Sequence, residues 1–253
     1  MNICIDVGNS TIGIGVFKDN QLVERMVINT DPRFTEDEFY QLFKKPFAYH
    51  EKGHVSNIIF SSVVPQINVS LLGALKKLTN VEPLLINPDT KTDLPIAVDN
   101  PLEIGNDLIA DLVGAKEKYG YPCLIADLGT ASKILLLDKN GTFVSCLIMP
   151  GLTLSAESLS NKAALLPEVS LIAPKSILAK NTLTAMNAGI VYGHADMILG
   201  LIKRYENELG YPCKRILTGG GAVYVKDILK NDFVYDQNLN LDGLNIIINK
   251  NSK

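Results

Sequence analysis

Two stretches constrain this chain more than any others: Ile3-Cys-Ile-Asp-Val-Gly-Asn-Ser-Thr-Ile-Gly-Ile-Gly-Val-Phe17 and Cys123-Leu-Ile-Ala-Asp-Leu-Gly-Thr-Ala-Ser-Lys-Ile-Leu-Leu-Leu137. Each is an apolar run ending at an acid (Asp6 or Asp127), followed by glycine, small hydroxyl residues and a second apolar run. Strand, polar turn and strand make a hairpin. The glycine lets backbone N–H groups approach an anion, and Asn9, Ser10 and Thr11 add side-chain donors. An acid beside such a turn suits a Mg²⁺ that bridges phosphates, because hard cations take oxygen ligands. One copy alone reads equally well as an ordinary hairpin with a polar tip. Two copies, one per half, read as a duplicated domain whose hairpins face each other across a cleft and hold a polyphosphate.

The remaining pattern fits that duplication. After the first hairpin come a third strand at Gln21 to Ile28 and a helix at Thr35 to Phe47, opened by a Thr35-x-x-Glu38 capping pattern. A strand follows at Asn57 to Val64, then a helix from Pro65 to Leu78, a short strand at Leu84 to Ile86 and a helix from about Ile104 to Tyr119. The second half repeats three strands, then places helices at 152–160 and 181–209, a strand at 214–217, a helix to Leu229, a strand at 233–235 and a final helix from Leu241. Strands followed by helices, twice, predict an α/β fold with domains at 1–119 and 120–253. Gly189, Gly193 and Gly200 would let the long helix pack closely, within the fold or against a second subunit. The turn Thr218-Gly219-Gly220-Gly221-Ala222 lets a flat ring or a phosphate lie on bare backbone, although alone it is as readily a flexible turn.

Composition narrows the function classes. At 47% hydrophobic and 20% charged residues, with a formal net charge of −3, the 253-residue chain is globular and offers no basic run for nucleic acid. No signal sequence or membrane span is expected, and Cys4, Cys123, Cys146 and Cys213 lack CxxC spacing, which predicts reduced thiols in a cytoplasmic protein. His50, His54 and His194 have no paired spacing for zinc. Neither a GxSxG elbow nor a GxxxxGK[ST] loop is present.

The ordered motifs Asp6-Val-Gly-Asn-Ser10, Asn100-Pro-Leu-Glu-Ile-Gly-Asn-Asp107, Asp127-Leu-Gly-Thr-Ala131, Pro150-Gly151-Leu152, Leu166-Pro167, Asn181-Thr182, Ala188-Gly-Ile-Val-Tyr-Gly193 and Thr218-Gly-Gly resemble the type III pantothenate kinase family. That family belongs to the actin, sugar-kinase and heat-shock chaperone superfamily, with duplicated ribonuclease-H-like domains and an ATP cleft between them. The resemblance implies transfer of phosphate from ATP to pantothenate, the first step of coenzyme A synthesis, by a homodimer using Mg²⁺ and K⁺ or NH₄⁺. It implies that Asp6, Val7, Gly8, Asn9, Ser10, Thr11, Thr130, Gly219 and Gly220 bind ATP, with Asp6 reaching Mg²⁺ through the phosphates. It also implies that Asp127 holds the monovalent cation, that Asp107 is the catalytic acid–base, and that Gly105, Asn106, Asp107, Leu108, Val98 and Ala163 border the acceptor. Without the resemblance, Asp107 reads as a helix N-terminal acid favoured by the macrodipole.

Departures from the family pattern cluster on the acceptor side. Leu108 stands where Arg is usual, Ala163 where Thr is usual, and Val98 where an aromatic is common. Ser145-Cys146 replaces a Gly-Gly pair, and Lys133 follows the second hairpin turn where Thr or an apolar residue is typical. Lys133 and Lys162 are the basic candidates to stand in for the missing Arg; otherwise both are solvated or snorkelling lysines. Two alternatives therefore stand beside the pantothenate reading: a same-fold kinase for another small hydroxylated acceptor, and a non-catalytic nucleotide-binding paralogue.

Overall fold

The first repeat folds as its alternating apolar pattern dictates. In a computed structural model, which describes residues 1–48, 55–163 and 165–252, β1 (Asn2–Val7) and β2 (Thr11–Lys18) form the hairpin and β3 (Gln21–Asn29) continues it. His50, His54 and Ala164 lie outside the described residues. α1 (Glu36–Ala48) starts with the expected capping box: the Glu38 amide donates to Thr35 Oγ1, and the Thr35 amide donates to Glu38 Oε2. β4 (Asn57–Ser62) ends two residues earlier than predicted, where the chain turns into α2 (Pro65–Thr79), and β5 (Leu84–Leu85) is short.

These strands form a sheet of order β3-β2-β1-β4-β5, with β4 parallel to β1 and β5 parallel to β4. One face carries a core of Ile3, Ile5, Ile12, Phe60, Phe39, Phe43, Ile67 and Leu71. After a turn of 3₁₀-helix at Pro101–Glu103, α3 (Asn106–Tyr119) begins two residues later than expected.

The second repeat has β6 (Cys123–Leu128), β7 (Ala131–Leu137) and β8 (Phe143–Pro150), followed by α4 (Leu152–Lys162) and the long α5 (Thr182–Leu209). β9 (Lys214–Thr218) and β10 (Val234–Tyr235) complete a second sheet of order β10-β9-β6-β7-β8. Read from its other edge this is the order of the first sheet, so the fold is a duplicated, ribonuclease-H-like α/β architecture. The predicted helix up to Leu229 is instead a 3₁₀-helix at Gly220–Tyr224 followed by turns, because three successive glycines cost too much chain entropy to start an α-helix.

α6 (Leu239–Asn251) begins before Leu241, since Leu239 is itself fully buried. It returns to the first repeat. One compact unit comprises Met1–Leu94, Asp99–Gly114 and the chain from Leu239 on; the other comprises Pro95–Val98 and Ala115–Asn238. A contiguous division at 119/120 therefore misses α6 and places the last residues of α3 in the wrong unit.

The four cysteines form no disulfide, and burial pushes the Cys123 thiol up to about 12. α5 is long and apolar enough to cross a bilayer, which the sequence reading had not anticipated, but Val191, Ala195, Ile198 and Ile202 of this helix lie in the core of the second unit. Its Gly189, Gly193 and Gly200 do not mediate close packing within the chain: a Cβ at any of them would meet nothing within 4 Å.

Candidate functional site

In the first unit the predicted residues gather at the carboxyl end of the parallel strands. Open α/β sheets bind their ligands at that end. Asp6 is the penultimate residue of β1, and Ser61, its neighbour on β4, donates from Oγ to Asp6 Oδ1 at 2.5 Å. On its other side Asp6 pairs with Gly13 of β2, where a Cβ would meet nothing within 4 Å. The tip is tight: the Gly8 amide donates to the Thr11 carbonyl at 3.0 Å, and Thr30 Oγ1 donates to the Gly8 carbonyl at 2.7 Å. Asn9, Ser10 and Thr11 are exposed, while the Val7 side chain is fully buried and leaves only its backbone to a ligand. A carboxylate, hydroxyls and an unobstructed glycine form an oxygen-donor set that fits Mg²⁺ with phosphates.

Asp107 reaches the same end of this sheet by a different route. Asn106 Nδ2 donates to the carbonyl of Ile86, just beyond β5, and so pins the first turn of α3 there. Gly105 precedes that turn and accepts the Leu108 amide at 3.0 Å. The Asp107 carboxylate folds back over Gly105, with Oδ1 in clash distance of a Cβ at 105. Asn240 of α6 donates to the Asp107 carbonyl at 3.0 Å. The structure thus brings Asp6, Gly105, Asn106 and Asp107 to one end of one sheet. Leu108, by contrast, is buried and presents no polar group.

The second unit repeats the arrangement with different neighbours. Asp127 sits near the end of β6, beside Thr218 of β9 and opposite Lys133 of β7. Its hairpin tip is one residue shorter: the Gly129 amide donates to the Ala131 carbonyl, leaving Thr130 exposed at the apex. Gly151 packs its bare Cα on this tip, where a Cβ would come within 2.5 Å of the Thr130 carbonyl oxygen, and its amide donates to that oxygen at 3.1 Å. Gly219 has φ +88°, and a Cβ there would lie 2.5 Å from Asp127 Oδ1; Gly220 is open.

Asp127, expected to hold a monovalent cation, faces Lys133, whose Nζ lies 3.2 Å from Asp127 Oδ2, with the two side chains only 18% and 14% exposed. Lys133 is therefore not a solvated lysine. A second unit positive charge about 4 Å away would meet roughly 4 kcal/mol of repulsion at an effective dielectric near 20.

The acceptor-side residues are dispersed. Val98 belongs to the Pro95–Val98 segment strapped to Phe143 through the Ala97 amide, and Ala163 is the C-cap of α4. Lys162 is exposed in the last turn of α4. Sequence reasoning missed Ser61, whose signal was the polar Ser61-Ser62 pair ending an apolar strand. It also missed the buried Ser132–His194 pair, 2.8 Å apart, in which desolvation lowers the His194 pKa. Among the described residues no group of three or more His, Cys, Asp or Glu side chains forms a metal cluster.

Comparison with known proteins places this geometry in a family. A family model described as type III pantothenate kinase matches residues 2–204. A type III pantothenate kinase from Agathobacter rectalis is 37% identical over 256 residues, covering 100% of this chain and 98% of that protein. Among solved structures, a conserved Baf family protein from Campylobacter jejuni has a TM-score of 0.60 at 19% identity, with 98% of both chains covered. An archaeal actin homolog has a TM-score of 0.52 at 12% identity, covering 98% of this chain and 99% of its own, and shares the two-repeat fold. The matched length, the identity and the ordered hairpins agree: this chain belongs to the type III pantothenate kinase family.

Proposed function

We propose that this protein is an ATP-dependent pantothenate kinase that makes 4'-phosphopantothenate, the entry step of coenzyme A synthesis, in the cytoplasm. The observation that carries the reading is the convergence of Asp6 and Asp107 on the carboxyl end of one sheet, in a chain whose full length matches the family. Phosphoryl transfer needs positioning, charge neutralisation and a group that orients the nucleophile; the protein does little covalent chemistry itself.

In this reading the backbone at Val7 and Gly8, with Asn9, Ser10 and Thr11, donates to the ATP phosphates, and Asp6, oriented by Ser61, would hold Mg²⁺ through its carboxylate. When bound, Mg²⁺ would supply positive charge that offsets the phosphate charge. Asp107 accepts the proton of the pantothenate primary hydroxyl while its oxygen bonds to the γ-phosphorus and the bond to the ADP oxygen breaks. Gly105 and Asn106 set the position of that carboxylate, and Thr130, Gly219 and Gly220 contribute to the nucleotide in the second unit. The Lys133 ammonium beside Asp127 argues against K⁺ or NH₄⁺ at that carboxylate.

A second reading is favoured by the buried Leu108: a same-fold kinase whose acceptor lacks a carboxylate. Replacing an Arg contact to a carboxylate removes about 1.5–3 kcal/mol. The test is ADP release and mass-spectrometric product identification with Mg-ATP and pantothenate, beside a panel of small hydroxylated acceptors lacking a carboxylate. 4'-Phosphopantothenate as the preferred product supports the proposal; preference for an uncharged acceptor moves the assignment to the second reading, and no transfer to any acceptor contradicts both.

A further inference from the structure

The two hairpins occupy equivalent places in their sheets, yet the positions facing their acids are opposite in character. Asp6 is paired across the hairpin with Gly13 and beside Ser61; Asp127 is paired with Lys133 and beside Thr218. Directly opposed residues of an antiparallel pair share one face of the sheet, with Cβ atoms about 4.5–5.5 Å apart, so a lysine at 133 is aimed at Asp127 by register alone. That register is pinned by its neighbour. Ser132 is fully buried on the other face, bonded to His194, and a one-residue slip would exchange the two faces.

The resulting contact is a sheltered one. Lys133 Nζ stands 3.2 Å from Asp127 Oδ2, with both side chains mostly buried, while Oδ1 lies against the bare Cα of Gly219. A lysine head group is a single positive charge with three N–H donors, which matches ammonium in charge and donor chemistry. It is tethered, so it cannot be exchanged for a solvent ion.

We infer that Lys133 is a built-in replacement for the monovalent cation expected at Asp127, and that this kinase works without K⁺ or NH₄⁺. The inference rests on the kinase reading for its catalytic consequence, but not for the charge it places at Asp127. Lys133 acts through Asp127 as a positioning residue: it fixes the carboxylate, and with it the approach of β6 to the Thr218–Gly219 turn.

The test measures thermal unfolding and turnover in KCl, NH₄Cl and choline chloride at equal ionic strength, for the wild type, Lys133→Thr and Lys133→Met. Wild-type Tm and kcat/KM should be the same in all three salts. In the variants Asp127, without the Lys133 charge, should bind K⁺ or NH₄⁺, giving a saturable Tm rise absent in choline chloride. Their kcat/KM should fall by roughly tenfold or more in choline chloride and recover with K⁺ or NH₄⁺.

A wild type that requires K⁺ overturns the inference, as do folded variants with no cation-specific response. If neither variant folds, the salt response of the wild type decides alone: independence of K⁺ upholds the inference and dependence overturns it. Should the wild type transfer no phosphate at all, the kinase reading fails, and the Tm comparison still decides whether Lys133 excludes the ion.

Discussion

Position 105 shows how one residue can set a reactive group. The Asp107 carboxylate stands too close to position 105 to leave room for a Cβ, so any other residue there would push the carboxylate aside. Ser61 plays the corresponding part for Asp6, holding one carboxylate oxygen at 2.5 Å. His194 has a different consequence. Its burial beside Ser132 lowers its pKa below the ordinary 6.5, so the folded chain binds a proton less readily than the unfolded one. The stability that neutral His194 contributes is therefore present above about pH 6.5 and lost as pH falls toward its folded-state pKa. Urea unfolding midpoints should drop between about pH 7.5 and pH 5.5, and His194→Gln should shrink that drop. An unchanged difference in the variant would assign the pH response to other groups. At this scale the sequence revealed the acids but not what faces them. Lys133 was visible as a departure, whereas its partner depends on a cross-strand register that emerges only once the shorter second tip is known.

Elements explain why the chain divides as it does. α6 is drawn to the first unit by a side-chain amide network: Asn2 Nδ2 donates to Asn245 Oδ1 and Asn249 Oδ1, and Asn249 Nδ2 donates to Asn20 Oδ1. It crosses α3 with backbones nearly touching. A Cβ at Gly114 would lie 2.6 Å from the Leu239 carbonyl oxygen, and one at Gly243 would overlap the Ala110 carbonyl. Gly243→Ala has no flexible side chain to push aside, so it should lower unfolding free energy by about 3 kcal/mol, at the upper end of overpacking effects. A chemical denaturation curve with an unchanged midpoint would show that the helices can part without loss. Helix and strand identities were largely legible, because period-2 and period-3.6 patterns and the Thr35 and Pro65 start signals are local. The destination of α6 was not legible, since small and amide residues at a helix crossing carry no local signature.

Across the whole molecule, one supersecondary unit has been used twice with its chemistry redistributed. Both sheets have the same strand order, and both place an acid near the end of their central strand. The first hairpin has an unobstructed glycine opposite its acid, whereas the second has a lysine there. Duplication was legible because the repeated strand-acid-glycine pattern needs no tertiary information. The acceptor side was not, since Val98, Leu108 and Ala163 come from separate segments and none carries a polar side chain to announce its part. In the proposed function the carboxyl end of the first sheet performs the transfer, with Asp107 acting on the acceptor hydroxyl. This is tested most directly by comparing Asp107→Asn with the wild type in two readings, ATP affinity and the rate of pantothenate phosphorylation at saturating Mg-ATP. ATP affinity should be unchanged and kcat reduced by about 10²–10⁴-fold, the range expected for loss of a general base. A variant that keeps its kcat would contradict the proposal.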